Sequence, residues 1–439
     1  MDFTFFVSVG RSGLGLYDIR YKGQRIVYEI AIQEALAHYA GIGKGASSTA
    51  YLDFIYGFTP NELVPGYDCP EEATYSDNRS FCLFEYPKDY PIQRHDAGHI
   101  QVTKNVAFIA RSVSTIDNYD YMTSYEFYLD GSVQILVRAS GYIAWATWTN
   151  DTADPEYGFH IRSGNSGSMH DHVINFKLDI DIGGTANSLF KTKFVPLSTT
   201  YPWSNGKKVN TMKLERSFIT NEDGGKINWD ANWAGTYAVV NKATPNQWGE
   251  YPGFKIFPST GSAIYNTVQN STNLQNAINW ATNNMYVLKR KDSEPRSAHE
   301  FNFFSPSKPF VDFNNFFNSE SLDQQDLVLY VNLGMHHLPD TSDIPNTVFT
   351  GAQSGIMLRP QNYLTSDASR ITRQQVRASG RQGVNYYGAH QPSGTFNLDA
   401  TNQDLTKVNP LPGFGPPGGG RDPDAPNTST DSESGSSSP

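Results

Sequence analysis

The stretch Ser124-Tyr-Glu-Phe-Tyr-Leu129-Asp130-Gly131-Ser132-Val-Gln-Ile-Leu-Val-Arg138 decides the fold class. Two runs rich in aromatic and β-branched residues alternate with polar ones and meet at Asp-Gly, which is the pattern of a β-hairpin. Outward from it, strand patterns recur at Val173–Ile182, Gly235–Val240, Met285–Lys289 and Leu327–Leu333, separated by long polar connections. Helical spacing is confined to Arg25–Tyr39, whose first half is β-branched, and to Asn266–Asn284, so both are read as short helices. No sequence repeat stands out. This density of strands predicts a mainly β protein, a large antiparallel β-sandwich with a few short helices.

Composition narrows the partners. The 439 residues are 38% hydrophobic, 13% aromatic and only 18% charged, with 37 glycines and 25 prolines, which excludes a coiled coil or a helical bundle. A net charge of -10 argues against nucleic-acid binding. No apolar stretch approaches the ~18 residues of a membrane span, so no membrane partner is expected. Met1–Phe6 lacks a basic region and an apolar segment ending at small residues, so no secretory signal is read, and an extracellular location would need upstream sequence. Asn78-Arg-Ser, Asn150-Asp-Thr and Asn270-Ser-Thr would carry glycans only on that route. Residues 411–439 are so rich in Gly, Pro and Ser that a disordered tail is expected after a folded unit over 1–410. Cys69 and Cys82 are close enough to close a short loop in an oxidising compartment; otherwise they are reduced thiols.

Two histidine groups could carry chemistry. His170 and His172 flank Asp171, and on a strand this spacing turns both imidazoles to one face. A third ligand is available in Gly334-Met-His336-His337-Leu-Pro339, at the end of an apolar strand pattern. Three imidazoles suit copper, zinc or iron. Standing alone, His170 and His172 are a weak signal, and His336 and His337 read as hydrogen-bonded histidines at a sheet end.

Thr115-Ile-Asp117-Asn118-Tyr119-Asp120-Tyr121 changes that balance. By composition it is a polar turn before a strand, and its first tyrosine a packing residue. It matches Thr-x-x-Asn-Tyr-[Asp/Glu]-[Tyr/Asn], the signature around the modified tyrosine of copper amine oxidases, and the chain resembles the catalytic domain of that family over roughly Phe3 to Arg370. The smaller domains that usually precede it are missing from the resemblance.

The resemblance implies a set of roles. Tyr119 becomes the self-derived cofactor topaquinone, which forms a Schiff base with the substrate, and copper is held by His170, His172 and His337. Tyr39 and Asp53, fourteen positions apart, match the family's conserved tyrosine and its proton-accepting aspartate. Asp53 would be raised in pKa by a dry pocket. Tyr51 matches the substrate gate, and Asn118 would hold the ring in its productive rotation. Asp179, the carbonyl of Ile180, Asp181, Asp326 and the carbonyl of Leu327 resemble a peripheral calcium site. Cys69 and Cys82 fall where the family has a disulfide. The implied reaction takes a primary amine and dioxygen to aldehyde, ammonia and hydrogen peroxide in a homodimer.

Two residues depart from the family pattern: Asp117 adds negative charge beside the cofactor position, and Asp340 follows His337-Leu-Pro where a basic side chain is common. The residues also admit three alternatives. One is an inactive or truncated relative, another a non-enzymatic β-sandwich that stacks carbohydrate on its seven tryptophans and many tyrosines, and the last a His-x-His metal enzyme without a quinone.

Overall fold

The Ser124–Arg138 region folds as the expected hairpin, with Tyr119–Phe127 and Val133–Gly141 antiparallel and Phe127 opposite Val133. The turn is one residue wider than Asp-Gly alone: the Tyr128 amide donates to the Ser132 carbonyl at 2.9 Å, and Gly131 takes a left-handed φ of 88°. The computed structural model describes residues 2–46, 48–96, 99–230, 232, 234–261, 267–268, 271–367, 375–379 and 384–387. The tail expected over 411–439 lies outside the described residues.

Among these residues two large antiparallel sheets pack face to face. In the first, the strands run in the order Phe3–Gly10, Gly13–Tyr21, Gln24–Tyr39, His170–Ile180, Leu327–His337, Met285–Lys289 and Lys226–Ile227, with Ala50–Leu52 pairing on Gln24–Tyr39. The second has ten strands, and its central ones are Gln353–Gln361, Val133–Gly141, Tyr119–Phe127 and Val106–Ile116. Side chains alternate between the faces of a strand, so Ile174, Phe176 and Leu178 of one sheet meet Tyr125, Ile135 and Ile356 of the other in a single buried core. The sandwich is therefore as expected.

The helix expected over Arg25–Tyr39 is instead a 16-residue strand, Gln24–Tyr39. It lies inside its sheet between Gly13–Tyr21 and His170–Ile180. One face enters the main core through Ile30, Ile32 and Ala35, and the other is buried by a separate cluster through Leu36. A strand buried on both faces shows no polar alternation, and its apolar run imitates helical spacing. Of the helix expected over Asn266–Asn284, the described part forms one 3-10 element, Gln275–Ala281, which covers the outer face with Ile278 and Trp280. Cys69 and Cys82 form a disulfide across 13 positions.

Candidate metal centre and active site

The site sits between the two sheets, at one end of the core. His170 lies directly opposite His337 on one side and Tyr39 on the other, so three of the predicted residues share one rung of the first sheet. His172, two residues on, faces the same way. A bulge in the pairing between Asn175 and Phe176 leaves Gln33 without a partner and resets which face the end of the Gln24–Tyr39 strand presents. Tyr119 and Tyr121 descend from the second sheet.

Each imidazole has one nitrogen engaged outward and one turned inward. His170 Nδ1 donates to the Ser168 carbonyl at 2.9 Å, and His337 Nε2 donates to the Asp343 carboxylate at 3.1 Å. A carbonyl or carboxylate oxygen only accepts, so these contacts leave lone pairs on His170 Nε2 and His337 Nδ1. His172 Nδ1 is 2.9 Å from the Tyr121 hydroxyl, and its Nε2 is buried without a partner. One ligand atom from each of the three histidines lies within 4.8 Å of the others. Burial, with the neighbouring imidazoles, lowers the pKa of His170 to about 3 and that of His172 well below its usual value, while burial lowers His337 too. Three neutral imidazoles with converging lone pairs, one of them unpartnered, fit a copper ion. His336 is exposed and turned away from this group.

Tyr119 is almost wholly buried, at 1% exposure, and its hydroxyl reaches into the histidine set: 3.1 Å from His337 Nδ1, 3.3 Å from His170 Nε2 and 3.5 Å from Thr347 Oγ1. Burial pushes its pKa up. Asn118 is clamped by Tyr142: the Asn118 amide donates to the Tyr142 carbonyl at 2.7 Å, and the Tyr142 amide donates to the Asn118 carbonyl at 3.1 Å. Gly141 permits this approach, since a β-carbon there would stand 2.1 Å from the Asn118 carbonyl oxygen.

The Tyr39 ring stacks on His170 at 4.6 Å, and Tyr51, partly exposed, meets Tyr39 edge-on at 6.0 Å. Asp53 follows the short strand Ala50–Leu52 and is 7% exposed; burial, then the nearby Asp117 charge, raises its pKa to about 8. The structure thus brings Tyr39, Tyr51, Asp53, Asn118, Tyr119, His170, His172 and His337 into one region.

Asp179, Asp181 and Asp326 form a second cluster near the opposite end of the same strands, about 30 Å along the sheet from His170. Ile180 and Leu327 are paired there. Arg25 Nε is 2.7 Å from Asp181 and Arg290 Nε 3.3 Å from Asp179, yet Asp181 Oδ1 and Asp326 Oδ1 are buried without partners. Burial, then Asp326 and Asp181, raises Asp179 to about 7. Three carboxylates against two guanidinium groups leave a surplus of negative charge, and the two unpartnered oxygens suit a hard cation.

Sequence reasoning missed Asp343, Thr347 and Glu34. Asp343 and Thr347 follow His337 on a 3-10 turn and a loop with no periodic signal. Asp340, noted as a departure, caps that turn by accepting from the Ser342 amide at 2.6 Å, and its own amide donates to Asp343 at 2.9 Å. Glu34 is buried, and its Oε1 accepts from the amides of Ala35 and Phe54 at 3.0 and 2.8 Å, the second adjoining Asp53.

The family model for the copper amine oxidase enzyme domain matches residues 1–379. The chain is 45% identical over 397 residues to copper amine oxidase vicK1 of Bipolaris victoriae, covering 86% of this chain and 55% of that protein. It is 32% identical over 420 residues to the copper-containing amine oxidase 3 of Bos taurus, covering 90% and 53%. A crystal structure of Aspergillus nidulans amine oxidase superposes with a TM-score of 0.86 at 46% identity, covering 93% of this chain and 57% of that one. The Pichia pastoris lysyl oxidase structure gives 0.85 at 37%, covering 93% and 58%. The chain spans about half the length of the curated relatives it matches.

Proposed function

The chain belongs to the copper amine oxidase family, and from that premise we propose that it oxidises primary amines, with dioxygen and water, to aldehyde, ammonia and hydrogen peroxide. The observation that carries this reading is the Tyr119 hydroxyl, set 3.1 and 3.3 Å from the lone pairs of His337 and His170. His170 Nε2, His172 Nε2 and His337 Nδ1 would hold copper. Copper, with the topaquinone into which Tyr119 is oxidised, supplies the two-electron acceptor that no ordinary side chain offers.

The remaining work falls to this chain's own side chains. Asp53 takes the proton from the carbon bearing the substrate nitrogen, and its raised pKa matches a base that must later give that proton back. Tyr39, stacked on His170, and Asn118, clamped by Tyr142, keep the ring of residue 119 in one orientation. Tyr51 stands over Tyr39 and meters access from solvent. Burial of Tyr119, Tyr39 and Asp53 keeps bulk water from the reacting atoms.

The acidic cluster Asp179, Asp181 and Asp326, with the carbonyls of Ile180 and Leu327, is proposed to bind calcium. A homodimer is supported by the ribbon Ser188–Thr199 and Val209–Ile219, which exposes Phe194, Met212 and Leu214. No helix among the described residues is long and apolar enough to cross a membrane.

The test is to load the purified protein with cupric ion in air and follow a panel of primary amines. The reading predicts hydrogen peroxide, ammonia and aldehyde in equal amounts, with none from His172→Ala. Oxygen uptake without aldehyde would refute it.

A further inference from the structure

Residues 290–297, Arg-Lys-Asp-Ser-Glu-Pro-Arg-Ser, form a strap across the outer face of the first sheet, the face opposite the histidine set. Asn175 and Lys177 alternate with the core-facing Ile174, Phe176 and Leu178 and so point to that outer face. There Lys177 Nζ donates to the Pro295 carbonyl at 3.2 Å, the Tyr330 hydroxyl to the Glu294 carbonyl at 3.3 Å, and Ser297 Oγ to Asn175 Oδ1 at 2.6 Å. The start of the strap is tied as well, since the Arg290 amide donates to the Asp326 carbonyl at 2.8 Å. A loop fastened at these points holds Arg296, between Pro295 and Ser297, in a fixed place.

Arg296 reaches from the strap to the loop that carries Asp53. Its guanidinium carbon lies 4.2 Å from the centre of the Phe54 ring, Nη1 donates to Ser12 Oγ at 2.8 Å, and Nη2 donates to the Gln33 carbonyl at 2.7 Å. Nε is buried without a partner among the described residues, so the stack and the two terminal nitrogens hold the group. Phe54, the residue after Asp53, is 5% exposed. Its amide donates to Glu34 Oε1 at 2.8 Å, and the Asp53 amide donates to the Ala35 carbonyl at 3.0 Å. Gln33, which the bulge leaves without a partner, immediately precedes those two anchors. One guanidinium thus grips both sides of the contact on which the Asp53 backbone rests, the ring on the loop and the carbonyl on the strand. A planar cation stacks on a ring while donating in its own plane, which an ammonium cannot do.

We propose that Arg296 is a positioning residue for Asp53, fixing the base through the Phe54 ring and the Gln33 carbonyl. The inference rests on the amine-oxidation reading and adds to it a residue that touches neither substrate nor cofactor. Misplacing a reacting group by about 1 Å costs about 100-fold in rate, so even a partial loosening of this grip falls on proton abstraction. Amine binding and the oxidation of Tyr119 depend on other contacts and are left alone.

The test uses the copper-loaded enzyme with benzylamine and n-butylamine. Bleaching of its visible absorption is followed after mixing with amine in the absence of oxygen, and the α-deuterated amines identify the proton-abstraction rate. Arg296→Lys keeps the charge but loses the planar stack, and should lower that rate about tenfold. The amine concentration giving half the maximal rate should stay within about twofold, and phenylhydrazine labelling should stay at the wild-type level. In an Asp53→Asn background the loss should vanish, because nothing is left to position, whereas a merely structural loosening would lower the rate in both backgrounds. Phe54→Leu removes the face of the stack and should reproduce the loss without adding to it, which keeps a readout if Arg296→Lys fails to fold. An equal loss with and without Asp53 overturns the proposal while leaving amine oxidation standing. So does a rate within about twofold of wild type for both variants at full labelling. Failure of every amine, with no carbonyl-reagent adduct on the protein, overturns both.

Discussion

The Tyr119 hydroxyl lies 3.1 Å from Nδ1 of His337, a residue 218 positions away that belongs to the other sheet. The sandwich is the device that makes this contact: one sheet supplies the imidazoles, the other the tyrosine. The outward partners of the imidazoles then decide which nitrogen faces the tyrosine.

His337 depends on Asp343. Its carboxylate fixes the proton on Nε2, 3.1 Å away, and so frees Nδ1 as a ligand. Asp343→Ala should weaken copper binding about 10- to 100-fold, measured by competition with a chelator. Asp340→Ala, which removes only the cap of the turn, should have a smaller effect.

Asp53 sets the pH dependence. With its pKa raised to about 8, the base form accumulates only as pH rises through that value, so kcat/KM for a monoamine should climb to a plateau with an apparent pKa near 8. Asp117→Asn removes a charge that raises Asp53, so the limb should move to lower pH. Asp53→Asn should cost about 10²–10⁴ in kcat. For stability the sign is opposite: between about pH 4 and pH 8 the folded carboxyl holds a proton that the unfolded chain has released, so stability falls as pH rises through that window. Thermal melts of the wild type against Asp53→Asn should converge at low pH and separate at high pH.

Glu34 holds the backbone beside the base. Burial raises its pKa to about 8, so at neutral pH it is a protonated acid accepting two buried amides. Glu34→Gln keeps the shape and an acceptor and should be nearly neutral at pH 7. Glu34→Ala leaves both amides unsatisfied, at about 1–3 kcal/mol each, and should lower the melting temperature and kcat together.

The acidic cluster proposed to bind calcium is partly self-neutralised. Arg25, 2.7 Å from Asp181, competes with any cation for that carboxylate. Arg25→Gln should therefore tighten calcium binding about tenfold, or about 1.4 kcal/mol, in isothermal titration calorimetry. Unchanged or weaker affinity would mean that the arginine does not compete.

The hairpin strands, Gly235–Val240 and Met285–Lys289 were legible because local patterning carries strand type. Gln24–Tyr39 was not, because burial on both faces erased the alternation that separates strand from helix. The candidate site was legible through short motifs, His-x-His and Thr115–Tyr121, whose residues are neighbours in sequence. Glu34, Asp343 and Thr347 were not, since each acquires its partner through the fold: Glu34 meets Phe54 20 positions away, and Thr347 meets Tyr119 across 228. No local signal encodes such contacts.

Tyr119 is proposed to become the redox cofactor beside copper held by three histidines. The most direct measurement adds cupric ion in air to the purified copper-free protein, labels it with phenylhydrazine and maps the adduct by peptide mass. A coloured adduct on the peptide containing Tyr119, absent from Tyr119→Phe and from copper-free samples, is the predicted result. Copper bound at full stoichiometry with no adduct, or an adduct on another residue, would contradict it.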